Sequence, residues 1–111
     1  MTTVNYLAKL AAGTALLSLF CLPVRAQSTG ETLYKAKCAV CHGADGEGET
    51  AMGKANKLRE LGSADVQKLS DTELTEIITK GKNKMPGYGK SLKPEQIKEL
   101  VGYIRSFAKK S

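Results

Sequence analysis

Cys38-Ala39-Val40-Cys41-His42 is the stretch of this 111-residue chain that constrains its fold most strongly. Two cysteines at positions i and i+3 of a helix project from the same side, at the spacing of the two vinyl groups of a haem. The histidine directly after the second cysteine then lies beneath the porphyrin, where its imidazole nitrogen can bind the iron. The motif therefore predicts one haem c, covalently attached through thioether bonds to Cys38 and Cys41, with His42 as an axial ligand.

Two other chemistries fit this motif less well. A redox-active dithiol of the thioredoxin kind expects strand–helix–strand patterning, which the sequence lacks. A zinc site would need a fourth soft ligand, and the spacing of Cys38, Cys41 and His42 is too cramped for a tetrahedral site. Because His42 is the only histidine of the chain, the iron of this haem has no second imidazole available.

A methionine thioether is the expected second axial ligand. Met85 stands in Asn83-Lys84-Met85-Pro86, a loop between two predicted helices, far enough along the chain from His42 to reach the opposite haem face. Met52 follows His42 closely and suits the edge of the pocket instead. We therefore predict His42 and Met85 as the axial iron ligands. Ligation by Met52 and an open sixth site are the alternatives.

The first 26 residues are typical of a cleaved secretory signal. An uncharged run of 13 residues ends at Leu22, and the triplet Val24-Arg25-Ala26 then has the small residues that a signal peptidase requires. A membrane-spanning helix needs roughly 20 apolar residues, so a retained anchor is the weaker alternative. Cleavage after Ala26 would export residues 27–111 to the periplasm, or to the thylakoid lumen in a photosynthetic organism.

Capping signals and hydrophobic periodicity predict an all-α domain of about four helices. The predicted helices span approximately 28–41, 63–69, 70–80 and 94–108. A glycine-rich segment, residues 43–62, separates the first two. A loop of this length is unusual in so small a domain unless it wraps a large cofactor.

The length and the net charge of the chain exclude several further classes of protein. The chain carries 17 Lys+Arg against 11 Asp+Glu, a formal net charge of +6. This modest excess, in an exported protein, disfavours nucleic acid as a partner. Cleavage after Ala26 would also remove Cys21, and the two cysteines that remain, Cys38 and Cys41, lie three residues apart, which excludes a disulfide framework. A domain of this size buries little apolar surface, so a covalently held cofactor would complete its core.

The sequence resembles the class I c-type cytochromes, which are small monohaem electron carriers of bacteria and photosynthetic membranes. The resemblance covers the whole mature chain and rests on the Cys38-to-Gly43 motif, on Lys84-Met85-Pro86 and on the closing helix. It implies a cytochrome c domain over residues 27–111, in which the first and last helices cross. Gly30 and Tyr34 match the contact positions of the first helix, and Leu100 and Tyr103 match those of the last.

The sequence differs from the pattern of this family in one respect. Many members of the family carry a proline after the haem motif, and its carbonyl accepts a hydrogen bond from the ligand histidine. This chain has no proline between His42 and Lys84. A backbone carbonyl of the glycine-rich segment is the expected substitute, since such partners orient the imidazole ring.

A six-coordinate His/Met iron has no room for substrate, so the resemblance implies a monomeric one-electron carrier and not an enzyme. A cluster of lysines flanks the proposed methionine ligand, and it predicts docking to acidic patches on redox proteins such as an oxidase, reductase, dehydrogenase or photosynthetic complex. The cluster comprises Lys80, Lys82, Lys84, Lys90 and Lys93. The candidate pocket walls are Leu58, Leu61, Ile77, Ile78, Tyr88 and Leu92. A gas sensor or peroxidase with an open iron site, and a c-type subunit of a larger oxidoreductase, are the alternative functions.

Overall fold

Six helices make up the part of the chain that the computed structural model describes, which is Ser18 and residues 28–109. They are α1 (Thr29–Lys37), α2 (Ala39–His42), α3 (Ala51–Ala55), α4 (Ala64–Gln67), α5 (Asp71–Lys80) and α6 (Pro94–Arg105). These residues contain no β-strand, only one isolated bridge between Lys82 and Met85. The all-α prediction is confirmed. The predicted signal segment lies outside the described residues, apart from Ser18.

The two helices beyond the predicted four have identifiable causes. The predicted first helix is divided at Cys38, where φ is −110°, and it restarts as α2. Helix α3 lies within the glycine-rich segment, residues 43–62, so the prediction of a continuous loop there is wrong. Thr50 begins it, because its hydroxyl accepts a hydrogen bond from the Gly53 N–H at 2.9 Å.

The predicted caps of α5 and α6 are present. The Ser70 hydroxyl accepts from the Glu73 N–H at 3.0 Å, and the Glu73 carboxylate accepts from the Ser70 N–H at 2.7 Å, which completes a capping box. Gly81 follows the last residue of helix α5 and terminates it, and its φ of +80° is unfavourable for other residues. Pro94 occupies the first turn of α6, and that helix ends at Arg105, three residues earlier than predicted.

Helices α1 and α6 cross at Gly30, as predicted. A Cβ atom on Gly30 would lie 2.9 Å from the carbonyl carbon of Glu99 and 3.2 Å from the Cβ of Tyr103, so the backbones approach too closely for a side chain. The close crossing fully buries Tyr34 and Leu100. The Tyr34 ring lies 5.2 Å from that of Tyr103, centroid to centroid, an aromatic contact that adds to the stability of the crossing.

Arg105 holds the α4–α5 connection against the end of α6. Its guanidinium donates to the Asp71 carboxylate at 2.8 and 3.0 Å, to the Gln67 carbonyl at 2.8 Å and to the Leu69 carbonyl at 2.5 Å. The planar guanidinium can satisfy several acceptors at once, which an ammonium cannot do in this geometry. This network fixes the segment that forms one wall of the cavity described next.

Candidate haem site

A cavity of about 500 Å³ opens between α2, α5, α6 and the segment that follows α3. Its volume falls within the roughly 300–1,000 Å³ of sites that bind small molecules and cofactors. The surface of the wall is mostly apolar, and Cys38, Cys41, His42 and Met85 all belong to it. The aliphatic wall residues larger than alanine are Leu58, Leu61, Val66, Leu69, Leu74, Ile77, Ile78, Leu100 and Ile104.

Five of the six predicted wall residues line this cavity. Leu92 does not line it and is instead buried in the packed core. Val66, Leu69 and Leu74, and the two wall residues from α6, were not predicted from the sequence. Their apolar spacing was visible, but an amphipathic pattern does not tell core packing from a cofactor wall.

Cys38 and Cys41 are free thiols and both are half-buried. The two residues between them differ in exposure, since Ala39 packs against the core whereas Val40 is 69% exposed. Burial raises the pKa of Cys38 to about 11, although the positive charge of Lys37 opposes the increase. The thiol of Cys38 is therefore protonated at neutral pH.

His42 contributes a neutral imidazole to the cavity wall. Burial lowers its pKa, so the ring keeps a lone pair for a metal at neutral pH. Its Nδ1 is buried and has no hydrogen-bond partner among the described residues. The predicted hydrogen bond from this nitrogen to a backbone carbonyl of the glycine-rich segment is therefore not formed. The carbonyls of this region are engaged elsewhere: that of Cys41 accepts from the Thr50 hydroxyl at 2.6 Å, and that of Gly43 accepts from the Tyr34 hydroxyl at 2.6 Å.

Met85 lies in a tight turn between α5 and α6. The Lys82 N–H donates to the Met85 carbonyl at 3.1 Å, and the Met85 N–H donates to the Lys82 carbonyl at 2.9 Å. Asn83 takes the left-handed conformation that this turn requires, with φ of +55°. Met52, by contrast, is 51% exposed and lies outside the cavity wall. The fold thus brings Met85 to the same cavity as His42, and leaves Met52 on the surface.

Five basic side chains also line the cavity, and we call them the cationic rim. No aspartate or glutamate is among the described residues of the wall. None of the five takes part in the ion pairs found within residues 28–109. The cationic rim consists of Lys37, Lys57, Arg59, Lys82 and Lys84.

The rim differs from the lysine cluster that the sequence suggested. Lys82 and Lys84 belong to both, but Lys90 and Lys93 lie outside the cavity wall. Lys80 also lies outside it and pairs with Glu76 at 2.6 Å. The remaining members of the rim come from segments distant in sequence, which is why a scan for neighbouring charges did not find them.

The residues that line the cavity fit one covalently attached haem. The wall offers two reduced thiols, one imidazole, one thioether and an apolar lining, which together match the chemistry of c-type haem. Residues 28–109 contain no cluster of three or more His, Cys, Asp or Glu that would bind a bare metal ion. None of the helices in this range combines the length and the apolar character needed to cross a bilayer.

Comparisons with known proteins agree with this arrangement. A protein-family model described as cytochrome c oxidase, cbb3-type, subunit III, matches residues 25–104. Cytochrome c-555 of Methylococcus capsulatus is 36% identical over 102 residues, which cover 89% of this chain and 77% of that protein. Cytochrome c6 of Rippkaea orientalis is 35% identical over 82 residues, 69% of this chain and 67% of that protein. The solved structure of the KustC0563 c-type cytochrome has a TM-score of 0.67 at 36% identity, covering 72% of this chain and 98% of that chain.

These matches and the fold together define a small monohaem c-type cytochrome of class I. Such a protein carries covalently bound haem c and transfers electrons; it is not an enzyme. More particularly, the chain belongs to the family of domains described as cytochrome c oxidase, cbb3-type, subunit III. Its partners are therefore redox proteins.

Proposed function

We propose that this protein is exported and carries single electrons between redox proteins outside the cytoplasm. In this proposal Cys38 and Cys41 bind the haem covalently, and His42 and Met85 are its two axial ligands. The observation that supports it most is that all four side chains belong to the wall of one apolar cavity, although Met85 is distant from the other three in sequence.

Each residue has a distinct chemical role. The thiols of Cys38 and Cys41 would hold the haem by adding across its two vinyl groups, with sulfur bonding to one vinyl carbon and hydrogen to the other. This addition consumes no oxidant. The neutral imidazole of His42 would donate a nitrogen lone pair to the iron, and the thioether of Met85 would favour the ferrous state and raise the reduction potential. When bound, the haem supplies the one-electron couple.

The aliphatic wall keeps water away from the metal. A low-polarity environment disfavours the extra positive charge of ferric iron, which also raises the potential. With His42 and Met85 both bound to the iron, no position would be open to a substrate, and the haem would serve electron transfer only. A carrier of this kind needs little rearrangement between its two oxidation states.

A second role is suggested by the description of the matched family, which names an oxidase subunit. In that role the domain would pass electrons within a permanent complex. Purification from the native host distinguishes the two roles. A free carrier elutes alone, at the volume of a monomer, whereas a subunit co-purifies with other redox proteins.

Covalent attachment can be tested by mass. We expect the protein, expressed in an exporting host with haem-attachment machinery, to have the mass of residues 27–111 plus one haem. The haem should stay with the chain after extraction with acidified acetone. The double variant Cys38→Ser/Cys41→Ser should lose it, whereas Met85→Ala should retain it, because thioether bonds do not depend on the axial ligand. Wild-type haem that is extracted by acidified acetone would contradict this assignment.

The cationic rim supports a docking surface for acidic partners. Unpaired positive charges around an opening attract anions and increase the rate of encounter. The interface of a transient redox complex is small, so orientation by charge contributes much of its specificity. We therefore propose that partners present acidic patches to the rim and that the protein is a monomer between encounters.

Charge reversal in the rim tests this docking surface. We expect Lys37→Glu/Lys84→Glu to slow oxidation by ferricyanide, an anionic probe, by about tenfold at low ionic strength. Reduction by hexaammineruthenium(II), a cationic probe, should become faster. The matched control is Lys90→Glu/Lys98→Glu, which changes the net charge equally outside the cavity wall. Equal effects of the two double variants on both probes, measured by stopped-flow absorption, would show that net charge and not the rim controls encounter.

A further inference from the structure

Tyr88 connects the segment that carries Met85 to the helix that precedes the haem motif. Its hydroxyl donates a hydrogen bond to the carbonyl oxygen of Lys37 at 3.1 Å, across 51 positions of sequence. Lys37 is the last residue of α1 and directly precedes Cys38. Both Tyr88 and Lys37 line the cavity. The bond therefore joins two sides of the proposed haem site.

The other hydrogen bonds of this segment leave it attached to α5 alone. The Tyr88 N–H donates to the Ile78 carbonyl at 2.8 Å, and the Gly89 N–H donates to the Thr79 carbonyl at 3.0 Å. Gly87 packs on the same helix, since a Cβ there would lie 2.6 Å from the Lys80 carbonyl carbon. Among the hydrogen bonds of residues 28–109, that of the Tyr88 hydroxyl is the one linking residues 81–91 to residues 28–62.

We propose that Tyr88 is a positioning residue that keeps Met85 on the iron by tying the Met85 segment to the carbonyl of Lys37. This inference rests on the proposed His42/Met85 ligation. An external ligand can bind the iron only after Met85 leaves, and the segment must then move away from α1. That movement breaks the Tyr88–Lys37 bond, so the bond lowers the population of the open form.

The protonation state of the Tyr88 hydroxyl is consistent with this role. Partial burial raises the pKa of Tyr88, so its hydroxyl keeps the proton that it donates throughout the neutral range. A hydrogen bond that contributed only to the global fold would raise the free energy of unfolding without changing access to the iron. The two roles therefore differ in a measurable quantity, which is the affinity of the ferric protein for an external ligand.

Imidazole binding to the ferric haem protein tests the proposal. Tyr88→Phe removes the hydroxyl and keeps the ring in the cavity wall. We expect this variant to bind imidazole about three- to tenfold more tightly than the wild type, which corresponds to the loss of one ordinary hydrogen bond from the closed form. Without imidazole, its spectrum should still show the weak band of the ferric iron–methionine bond.

Tyr103→Phe is the matched control, because Tyr103 packs at the crossing of α1 and α6 and lies outside the cavity wall. Its imidazole affinity should equal that of the wild type. If Tyr88→Phe binds imidazole with wild-type affinity, even though denaturant unfolding shows a loss of stability, the positioning role is overturned and the bond is structural. A wild-type protein without the iron–methionine band would overturn the proposed ligation itself, which is a different result.

Discussion

Replacing Met85 by alanine is expected to lower the reduction potential by on the order of hundreds of millivolts, within the roughly 0.8 V range that axial ligands span. The thioether stabilises ferrous iron, and the alanine variant leaves that position to water or to an external ligand. Carbon monoxide should therefore bind the ferrous variant readily. A redox titration and an absorption spectrum under carbon monoxide measure the two effects.

Met52→Ala is the control for this prediction. Met52 has the same side chain but is 51% exposed and lies outside the cavity wall. Its removal should leave the potential, the iron–methionine band and the response to carbon monoxide unchanged. If Met52→Ala changed all three properties and Met85→Ala changed none, the assignment of the second axial ligand would be wrong.

Gly30→Ala is expected to lower the free energy of unfolding by about 2–3 kcal/mol, a large share of the roughly 5–15 kcal/mol that stabilises a domain. The added Cβ would collide with the Glu99 carbonyl, and the backbone of α6 cannot yield as a flexible side chain would. The two helices would have to separate, which loosens the packing of Tyr34 against Tyr103. Denaturant unfolding of the haem-loaded protein measures the change.

Gly102→Ala is the matched substitution on the partner helix. Gly102 lies within α6, and a Cβ there would meet no atom within 4 Å. Alanine should therefore increase stability by about 1 kcal/mol, because it forms helix more readily than glycine. If the free energy of unfolding changed similarly in both variants, helix propensity and not the close crossing of α1 and α6 would determine the effect at Gly30.

Local signals in the sequence account for much of this fold. The capping box at Ser70 and the glycine at the end of α5 each require only neighbouring residues, and both are present. The crossing at Gly30 followed from the family resemblance and is confirmed by the contact with Glu99. The match to the c-type cytochromes likewise confirms the haem c that the Cys-x-x-Cys-His motif predicted.

Features that depend on contacts between distant residues were not predictable in this way. The cationic rim brings Lys37 and Lys57 close to the Met85 segment only after the chain has folded. The hydrogen bond of Tyr88 likewise has no local signature. Helix α3 was missed for a different reason, since its glycine lowers helix propensity but is needed where a Cβ would lie 2.6 Å from the Cys41 carbonyl oxygen.

The sequence also did not predict that Nδ1 of His42 lacks a hydrogen-bond partner among the described residues. The sequence shows that no proline is available, but not that the nearby carbonyls accept hydrogen bonds from Tyr34 and Thr50. Hydrogen bonding to this nitrogen normally orients the ring and increases its basicity. The absence of this hydrogen bond depends on how the whole glycine-rich segment folds, so it is visible only in the structure.

The absorption spectrum of the wild-type protein, ferric and ferrous, with and without carbon monoxide, tests the His42/Met85 electron carrier most directly. We expect a low-spin spectrum, the weak ferric iron–methionine band, and a ferrous spectrum that carbon monoxide does not change. A high-spin ferric spectrum, or a ferrous spectrum that shifts readily with carbon monoxide, would contradict it and would indicate an open iron site suited to gas binding or peroxide chemistry.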